Sequence, residues 1–396
     1  MPGVRHVEVA GSFRRRRETV GDLDLLVACA RGAPVVERLV AHEDVAEVAA
    51  RGPTRATVVL RSGLQVDLRV VAAASFGSAL HYFTGSKAHN IAVRKLGVRR
   101  GLKLNEYGVF RGARRIGGKS EAEVFRSVGL PYIEPELRED QGEIEAARRR
   151  RLPRLVELAD LRGDLHVHTR ASDGRASPEE MAIAARERGY EYLAIADHTA
   201  AARIARGLDA RRMRRHLARI EKLAAGLRGI RLLRAAEVDI LEDGSLDLPD
   251  EVLRELDLVV GAVHSHFGLA RARQTERILR AMDHPRFHVL AHPTGRLLGE
   301  REAYAVDLER LVLGAAERGC FLELNAQPQR MDLTDVACRA AKQAGVKVAI
   351  STDAHAAEQL DFMRLGVGQA RRGWLEADDV LNTRSWRELE KLLARR

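Results

Sequence analysis

The chain has 396 residues, 45% of them apolar, and a formal net charge of +10. That length predicts two or three domains, and an apolar fraction this high excludes intrinsic disorder as the general state. The longest apolar runs are strand-sized, such as LDLVVGAV at 256–263, so no segment reads as a membrane span.

The charge is unevenly placed. Residues 1–135 carry 22 Lys and Arg against 13 Asp and Glu, and the rest of the chain carries 44 against 43. A basic third beside a near-neutral remainder suits a polyanion-binding region joined to one with other work. Aromatic residues make up only 4%, which argues against base stacking on an aromatic platform. The first residues, MPGVRHVEVAGSFRRRR, hold no apolar signal core. Cys29, Cys320 and Cys338 lack CxxC spacing and disulfide parity, so a reducing cytoplasmic setting is expected.

In chain order, HVEVAGS reads as a strand entering a Gly-Ser turn and DLDLLVA as an alternating strand. APVVERLVAHEDV, 33–45, reads as a helix. ATVVLRS and LQVDLRVVA read as two strands joined at Ser62-Gly63. A helical stretch is expected around 78–96, then short strands near 103–110. Residues 136–160 are highly charged with little apolar periodicity and read as a linker or exposed helix. From 161 onward, strand, loop and helix signals repeat.

Asp22 and Asp24 lie two apart on a predicted strand, so their carboxylates share a face. Like charges held side by side call for a divalent cation. Asp67, on another predicted strand, can complete a three-carboxylate cluster suited to two Mg²⁺ ions about 4 Å apart and in-line phosphoryl transfer. Upstream, Gly11-Ser12 and the following arginines offer backbone N–H groups and guanidiniums to phosphate, and Gly21 lets backbone approach beside the aspartates.

The run GSFRRRRETVGDLDLLV resembles the palm of family X DNA polymerases, within the nucleotidyltransferase superfamily. YFTGSKAHNIAVR, 82–94, and LKLNEYGVF, 102–110, resemble the thumb of that family. The resemblance implies Asp22, Asp24 and Asp67 as catalytic, metal-holding carboxylates for Mg²⁺ or Mn²⁺, with Asp67 as base for the primer 3′-hydroxyl. It implies Gly11, Ser12, Arg15 and Gly21 at the triphosphate, Tyr82, Phe83 and Gly85 at the incoming sugar, Asn90 at the nascent base pair, and Arg94 at the template. Val20 stands where a phosphate-binding serine is frequent, and Lys87 where some members carry an acid. Family members normally place a small domain and helix-hairpin-helix fingers before the palm, whereas here the palm strand starts by residue 8, so those domains are expected to be missing.

From 161 onward, His, Asp and Glu follow one apolar run after another: His166 and His168, Asp173, His198, Glu237, His264, His292, then Asp353 and His355. Counting FLELN, which ends in Asn325, seven runs alternate with helical stretches. Such alternation predicts a parallel barrel of seven units, with its functional residues converging at the strands' C-terminal ends. Imidazole and carboxylate together suit two or three Zn²⁺, Mn²⁺ or Fe²⁺ ions and phosphoester hydrolysis. HVHTRASDG, ADHT, GAVHS, AHP and TDAH resemble the PHP domain, named for polymerase and histidinol phosphatase. That resemblance implies His166, His168, Glu237 and Asp353 at one ion, and Asp173, His198 and His355 at a second. Glu237, His264 and His292 would hold a third, with Glu237 bridging and Arg330 as a phosphate contact.

The expected fold is thus α/β and multidomain: a nucleotidyltransferase palm (1–73), an α/β thumb (74–135), a charged linker (136–160) and a distorted seven-stranded (β/α)7 PHP barrel (161–396). The order of domains resembles bacterial and archaeal family X DNA polymerases. It implies gap filling with dNTPs on gapped or 3′-ended duplex DNA, 3′–5′ exonuclease and 3′-end processing, and base excision repair by a cytoplasmic monomer. Three other readings use fewer of these features: a PHP nuclease or phosphatase whose palm and thumb only bind DNA, a histidinol-phosphate-like phosphatase of small metabolites, and a non-catalytic DNA-binding scaffold.

Overall fold

The computed structural model describes residue 1 and residues 3–394 and divides the chain into two compact units, Met1–Pro153 and Arg154–Arg396. No described helix is long and apolar enough to cross a membrane.

The first unit opens with five strands: β1 (Val4–Val9), β2 (Asp22–Cys29), β3 (Val45–Gly52), β4 (Arg55–Leu60) and β5 (Gln65–Val71), in the sheet order β1-β2-β5-β4-β3. Alternation along β2 serves two layers. Val27 and Cys29 pack with Val35 and Val36 of helix Ala33–Val40, while Leu26 packs with Ala79 and Leu80 of helix Phe76–Thr84. The two helices thus cover opposite faces of the sheet. Strands β6 (Lys103–Asn105), β7 (Gly108–Arg111) and β8 (Arg114–Gly117) form a small antiparallel sheet over Leu102, Val109 and Val124.

Three readings of this region are corrected. The helix expected over 33–45 ends at Val40, and Val45–Gly52 is a strand. That strand is a mostly exposed sheet edge, so burial imposes no alternating pattern on it. The single helical stretch around 78–96 is two helices, Phe76–Thr84 and Lys87–Val98. Gly85 (φ +70°) ends the first, and the Ser86 side chain caps the second by accepting from His89 N–H. Residues 136–153 are packed into the first unit and are no linker. Arg138 is fully buried, donating from Nη1 to Glu121 Oε1 (2.5 Å) and from Nε to Ile133 O (2.9 Å). Arg14 donates to both Glu121 oxygens. Desolvation pushes Glu121 up, but the two guanidiniums outweigh it and hold the carboxyl down at about 2. His89 Nδ1 and Glu143 Oε1 meet at 2.7 Å, both fully buried. The packing of 136–153 joins these ion pairs to only a few buried apolar side chains such as Leu137 and Ala147, so apolar periodicity does not report it.

The second unit contains seven parallel strands: β9 (Gly163–Val167), β10 (Tyr192–Ile195), β11 (Arg231–Asp239), β12 (Leu258–Ala262), β13 (Val289–Leu290), β14 (Phe321–Asn325) and β15 (Val348–Ser351). They pair in chain order, and a parallel bridge between Val167 and Ala354 brings the last strand back beside the first. The sheet is a nearly closed seven-stranded barrel. A ring this small leaves a narrow interior. Ala194, Ala235, Ala262 and Ala349 accordingly share one cluster with Leu165, Leu233 and Val260. Leu389 and Leu393 of helix Trp386–Leu393 belong to the same cluster. The outer strand faces meet the crossover helices through Leu193, Ile195, Leu322 and Ile350.

Candidate active sites

Parallel pairing of β2 with β5 places Asp24 directly beside Asp67, with Asp22 two residues along the same face. Asp67 is oriented by its neighbours: Thr57 Oγ1 donates to Oδ1 (2.5 Å) and Gln65 Nε2 to Oδ2 (2.7 Å). Burial, then Asp22, then Asp67 raise Asp24 to about 6. A carboxyl held up by burial and by two neighbouring carboxylates is the electrostatic setting a divalent cation relieves. Gly11 (φ +61°) closes over it, and a Cβ there would fall 2.1 Å from Asp24 Oδ2. Glycine is therefore required at that position twice, for its backbone angle and for the space.

The other residues expected around the palm lie in two groups. Ser12 is in the one-turn helix Gly11–Arg14, next to Gly11. Arg15 is already engaged, donating to Glu139 Oε1 (3.0 Å) and to Thr84 O (2.5 Å), and its Nη1 would meet a Cβ on Gly85 at 3.1 Å. Nothing crowds Gly21. Tyr82, Asn90 and Arg94 line one small pocket with His81, and Asn90 Nδ2 donates to Tyr82 O (2.7 Å). Tyr82 and Phe83 pack edge to face with centroids 5.1 Å apart. Arg94 is exposed on helix Lys87–Val98.

In the barrel, all nine ligand-type residues converge at the C-terminal strand ends. Glu237, at the end of β11, is central. Its Oε2 lies 3.5 Å from His166 Nε2, 3.6 Å from His168 Nε2 and 2.8 Å from His198 Nδ1. Its Oε1 lies 3.3 Å from His264 Nε2 and 2.8 Å from His292 Nε2. Asp353 Oδ1 is 3.0 Å from His168 Nε2 and 4.0 Å from His166 Nε2. Asp173 Oδ2 is 3.5 Å from His198 Nε2 and 3.4 Å from His355 Nε2. Three sets have ligand atoms within 4.8 Å of one another: His168, Asp173, His198 and His355; His166, His168 and Asp353; His198, Glu237 and His264. Glu237 Oε2 is buried among three imidazoles without a single aligned hydrogen bond. That donor set fits divalent transition-metal ions, for which such an oxygen is a ready ligand. Asp353 (φ +50°) and His292 (φ +26°) hold backbone angles uncommon for their type, which the surrounding packing sustains.

The DNA polymerase beta thumb model matches residues 79–139, and the PHP domain model matches residues 164–327. The DNA polymerase/3′-5′ exonuclease PolX of Bacillus subtilis (strain 168) is 41% identical over 390 residues, covering 98% of this chain and 68% of that protein. The chain belongs to the PolX family of DNA polymerases. A probable phosphatase of Thermoanaerobacter sp. (strain X514) is 26% identical over 231 residues, 56% of this chain and 89% of that one. A probable phosphatase of Syntrophotalea carbinolica is 33% identical over 166 residues, 41% of this chain and 64% of that one.

A layer of partners behind the barrel cluster escaped the sequence reading. Glu323 Oε1 lies 2.8 Å from His166 Nδ1, and its Oε2 accepts from His292 N–H (2.9 Å) and Asn325 Nδ2 (3.1 Å). Asp239 Oδ1 lies 3.2 Å from His264 Nδ1. Asn325 Nδ2 also donates to Asp353 Oδ2 (3.0 Å). The contacts at Nδ1 turn Nε2 of His166 and of His264 toward the cluster. Asp197 accepts from Thr169 and Ser172 and so ties down the loop that carries Asp173. A signal existed: Glu323 and Asp239 are carboxylates inside apolar strands, each two residues from a residue already singled out. Arg330 reaches the cleft, with Nε 3.6 Å from Asp353 Oδ2.

Proposed function

We propose that this chain is a bifunctional DNA repair enzyme. Its palm would add nucleotides from dNTPs at the primer end of gapped DNA, and its barrel would remove nucleotides from 3′ ends. The observation that carries the reading is the pairing, on one chain, of the Asp24–Asp67 carboxylate site with the Glu237-centred imidazole cluster. The Bacillus subtilis relative, which carries polymerase and 3′-5′ exonuclease in its name and aligns with 98% of this chain, supports it.

At the palm, Asp22, Asp24 and Asp67 would hold Mg²⁺ or Mn²⁺, and Asp67 would take the proton of the primer 3′-hydroxyl. Gly11, Ser12, Arg15 and Gly21 would face the triphosphate, Tyr82, Phe83, Gly85 and Asn90 the nucleotide, and Arg94 the template. In the barrel, His166, His168, Glu237 and Asp353 would form one ligand set for Mn²⁺, Zn²⁺ or Fe²⁺, Asp173, His198 and His355 a second, and Glu237, His264 and His292 a third. Bound there, the ions supply charge neutralisation at phosphorus and a water acidified toward neutrality. Arg330 would hold a non-bridging phosphate oxygen beside Asp353, and Glu323 and Asp239 would keep the imidazoles oriented. The biological setting we propose is short-gap filling and 3′-end cleaning in base excision repair, in the cytoplasm.

Primer extension and 3′ degradation on one-nucleotide-gapped duplex with Mn²⁺ test this directly. Incorporation and shortening from the same preparation are expected. Shortening without incorporation would leave only the barrel half, with the palm and thumb as a DNA grip. The two probable phosphatases support a second reading, a monoesterase. Release of phosphate from a 3′-phosphoryl end without release of nucleotides would select it.

A further inference from the structure

The loop after His198 is a closed structure. Thr199 and Leu208 form a parallel bridge, and Leu208 N–H donates to His198 O (2.8 Å). Within the loop, Ala202 N–H donates to Thr199 O (3.0 Å), Arg206 N–H to Arg203 O (3.0 Å) and Gly207 N–H to Ala202 O (3.2 Å). Ala201 N–H donates to Asp247 Oδ2 (2.6 Å), and Arg212 Nη1 donates to Arg206 O and Gly207 O. A Cβ at Gly207 would fall 1.8 Å from Thr199 O, so the loop closes only with glycine there. Yet this fastened loop carries Ile204 at 103% exposure, the most exposed large apolar side chain among the described residues, between exposed Arg203 and Arg206. A well-tied loop that holds isoleucine out in water keeps it for something that covers it.

Ile204 lines the same cleft as the imidazole cluster, a space of about 550 Å³. Another part of the lining is a flat plate. The Arg301 guanidinium lies 4.4 Å from the centroid of Phe267, and Phe267 stacks on Tyr304 at 6.0 Å with rings 16° apart. Arg301 is fixed in that plane by donating from Nε and Nη2 to Gly295 O (3.1 and 2.7 Å), and Tyr304 by its own bond to Pro293 O (2.7 Å). Guanidinium planes and apolar side chains are surfaces on which nucleobases lie, whatever their sequence.

Taking the barrel as the exonuclease proposed above, we infer that Ile204 and the Arg301–Phe267 plate form the seat of the base of the nucleotide being removed. The seat takes any unstacked base, since an isoleucine side chain and the flat face of a guanidinium bind the face of a base rather than its edge. Arg203, which lines the cleft beside Ile204, lies beside the phosphates of the same strand. Ile204 and Arg301 are then specificity residues, and the barrel recognises a nucleotide rather than a bare phosphoester.

The test uses the full chain with Mn²⁺ and two single-stranded oligonucleotides, one ending in 3′-thymidine and one in a 3′-tetrahydrofuran residue that has a sugar and no base. The wild-type protein should remove the thymidine about tenfold faster, the range of one base stacking on a protein surface. In Ile204→Asp and in Arg301→Ala that ratio should fall toward one. Inhibition constants for dTMP against 2-deoxyribose 5-phosphate should show the same preference in the wild type and its loss in both variants. Hydrolysis of both ends at rates within twofold in the wild type, or a ratio unmoved in both variants, overturns the seat and leaves the exonuclease standing. Failure of the wild type to hydrolyse either end overturns the exonuclease and the seat with it.

Discussion

The two candidate sites solve the same electrostatic problem in opposite ways. The palm gathers three carboxylates on two parallel strands and balances them so weakly that burial and its two neighbours raise Asp24 to about 6. The barrel interleaves its carboxylates with six imidazoles and backs them with Glu323, Asp239 and Asn325. A site of like charges is assembled by the fold with its mutual repulsion unrelieved. A site of alternating donors holds its shape through its own contacts. The first unit contains the same contrast in miniature: Glu121, flanked by Arg14 and Arg138, is held down at about 2.

The sharpest way to break this comparison is to remove one charge from each site. Asp24→Asn should lower nucleotide incorporation on the order of 10³-fold, and His355→Ala should lower 3′ nucleotide release by a factor of about 10²–10³. Equal losses of both activities in either variant would mean that one site serves both reactions. Next in size is Glu121→Gln, which strands two guanidiniums and should cost about 3 kcal/mol in urea unfolding at pH 7. A depressed carboxyl stabilises the fold fully above its unfolded value, so the deficit should shrink as pH falls from about 4 toward 2. Asp24→Asn should do the opposite. A raised carboxyl burdens the metal-free fold above about pH 6, so this variant should gain about 1–2 kcal/mol at pH 7.5, discounted for partial exposure. The gain should fade between pH 6 and 4 and should also fade when Mg²⁺ is added to the parent protein. A melting curve that drops in Asp24→Asn would remove the contrast with Glu121. The smallest expected effect is that of Glu323→Gln, which should weaken Mn²⁺ binding in the barrel about tenfold, read by metal titration.

Much of each site was legible because strands and barrels convert spacing into position. An i, i+2 pair on a strand shares a face, so Asp22 and Asp24 could be paired without coordinates. Seven apolar runs, each with a polar residue at its end, gave the barrel and the imidazoles and carboxylates that meet at its strand ends. What stayed hidden had no periodic signature. The exposed edge strand Val45–Gly52 has no buried face to pattern it. The segment 136–153 packs through Arg138, Glu143 and their partners, and charged residues read as surface until their partners are known. The contact of Arg15 with Glu139, 124 residues away, likewise has no local signature.

The sequence by itself determined which imidazoles and carboxylates stand at strand ends and which strands carry them, because residue type and period-two spacing are local properties. Only the tertiary structure decided which carboxylate stands beside which. The β2–β5 register sets Asp24 against Asp67, the barrel's closure brings Asp353 to His168, and the fastened loop after His198 leaves Ile204 bare above the cleft. Those outcomes depend on contacts between distant residues, where burial and pairing, rather than local propensity, set the free energy.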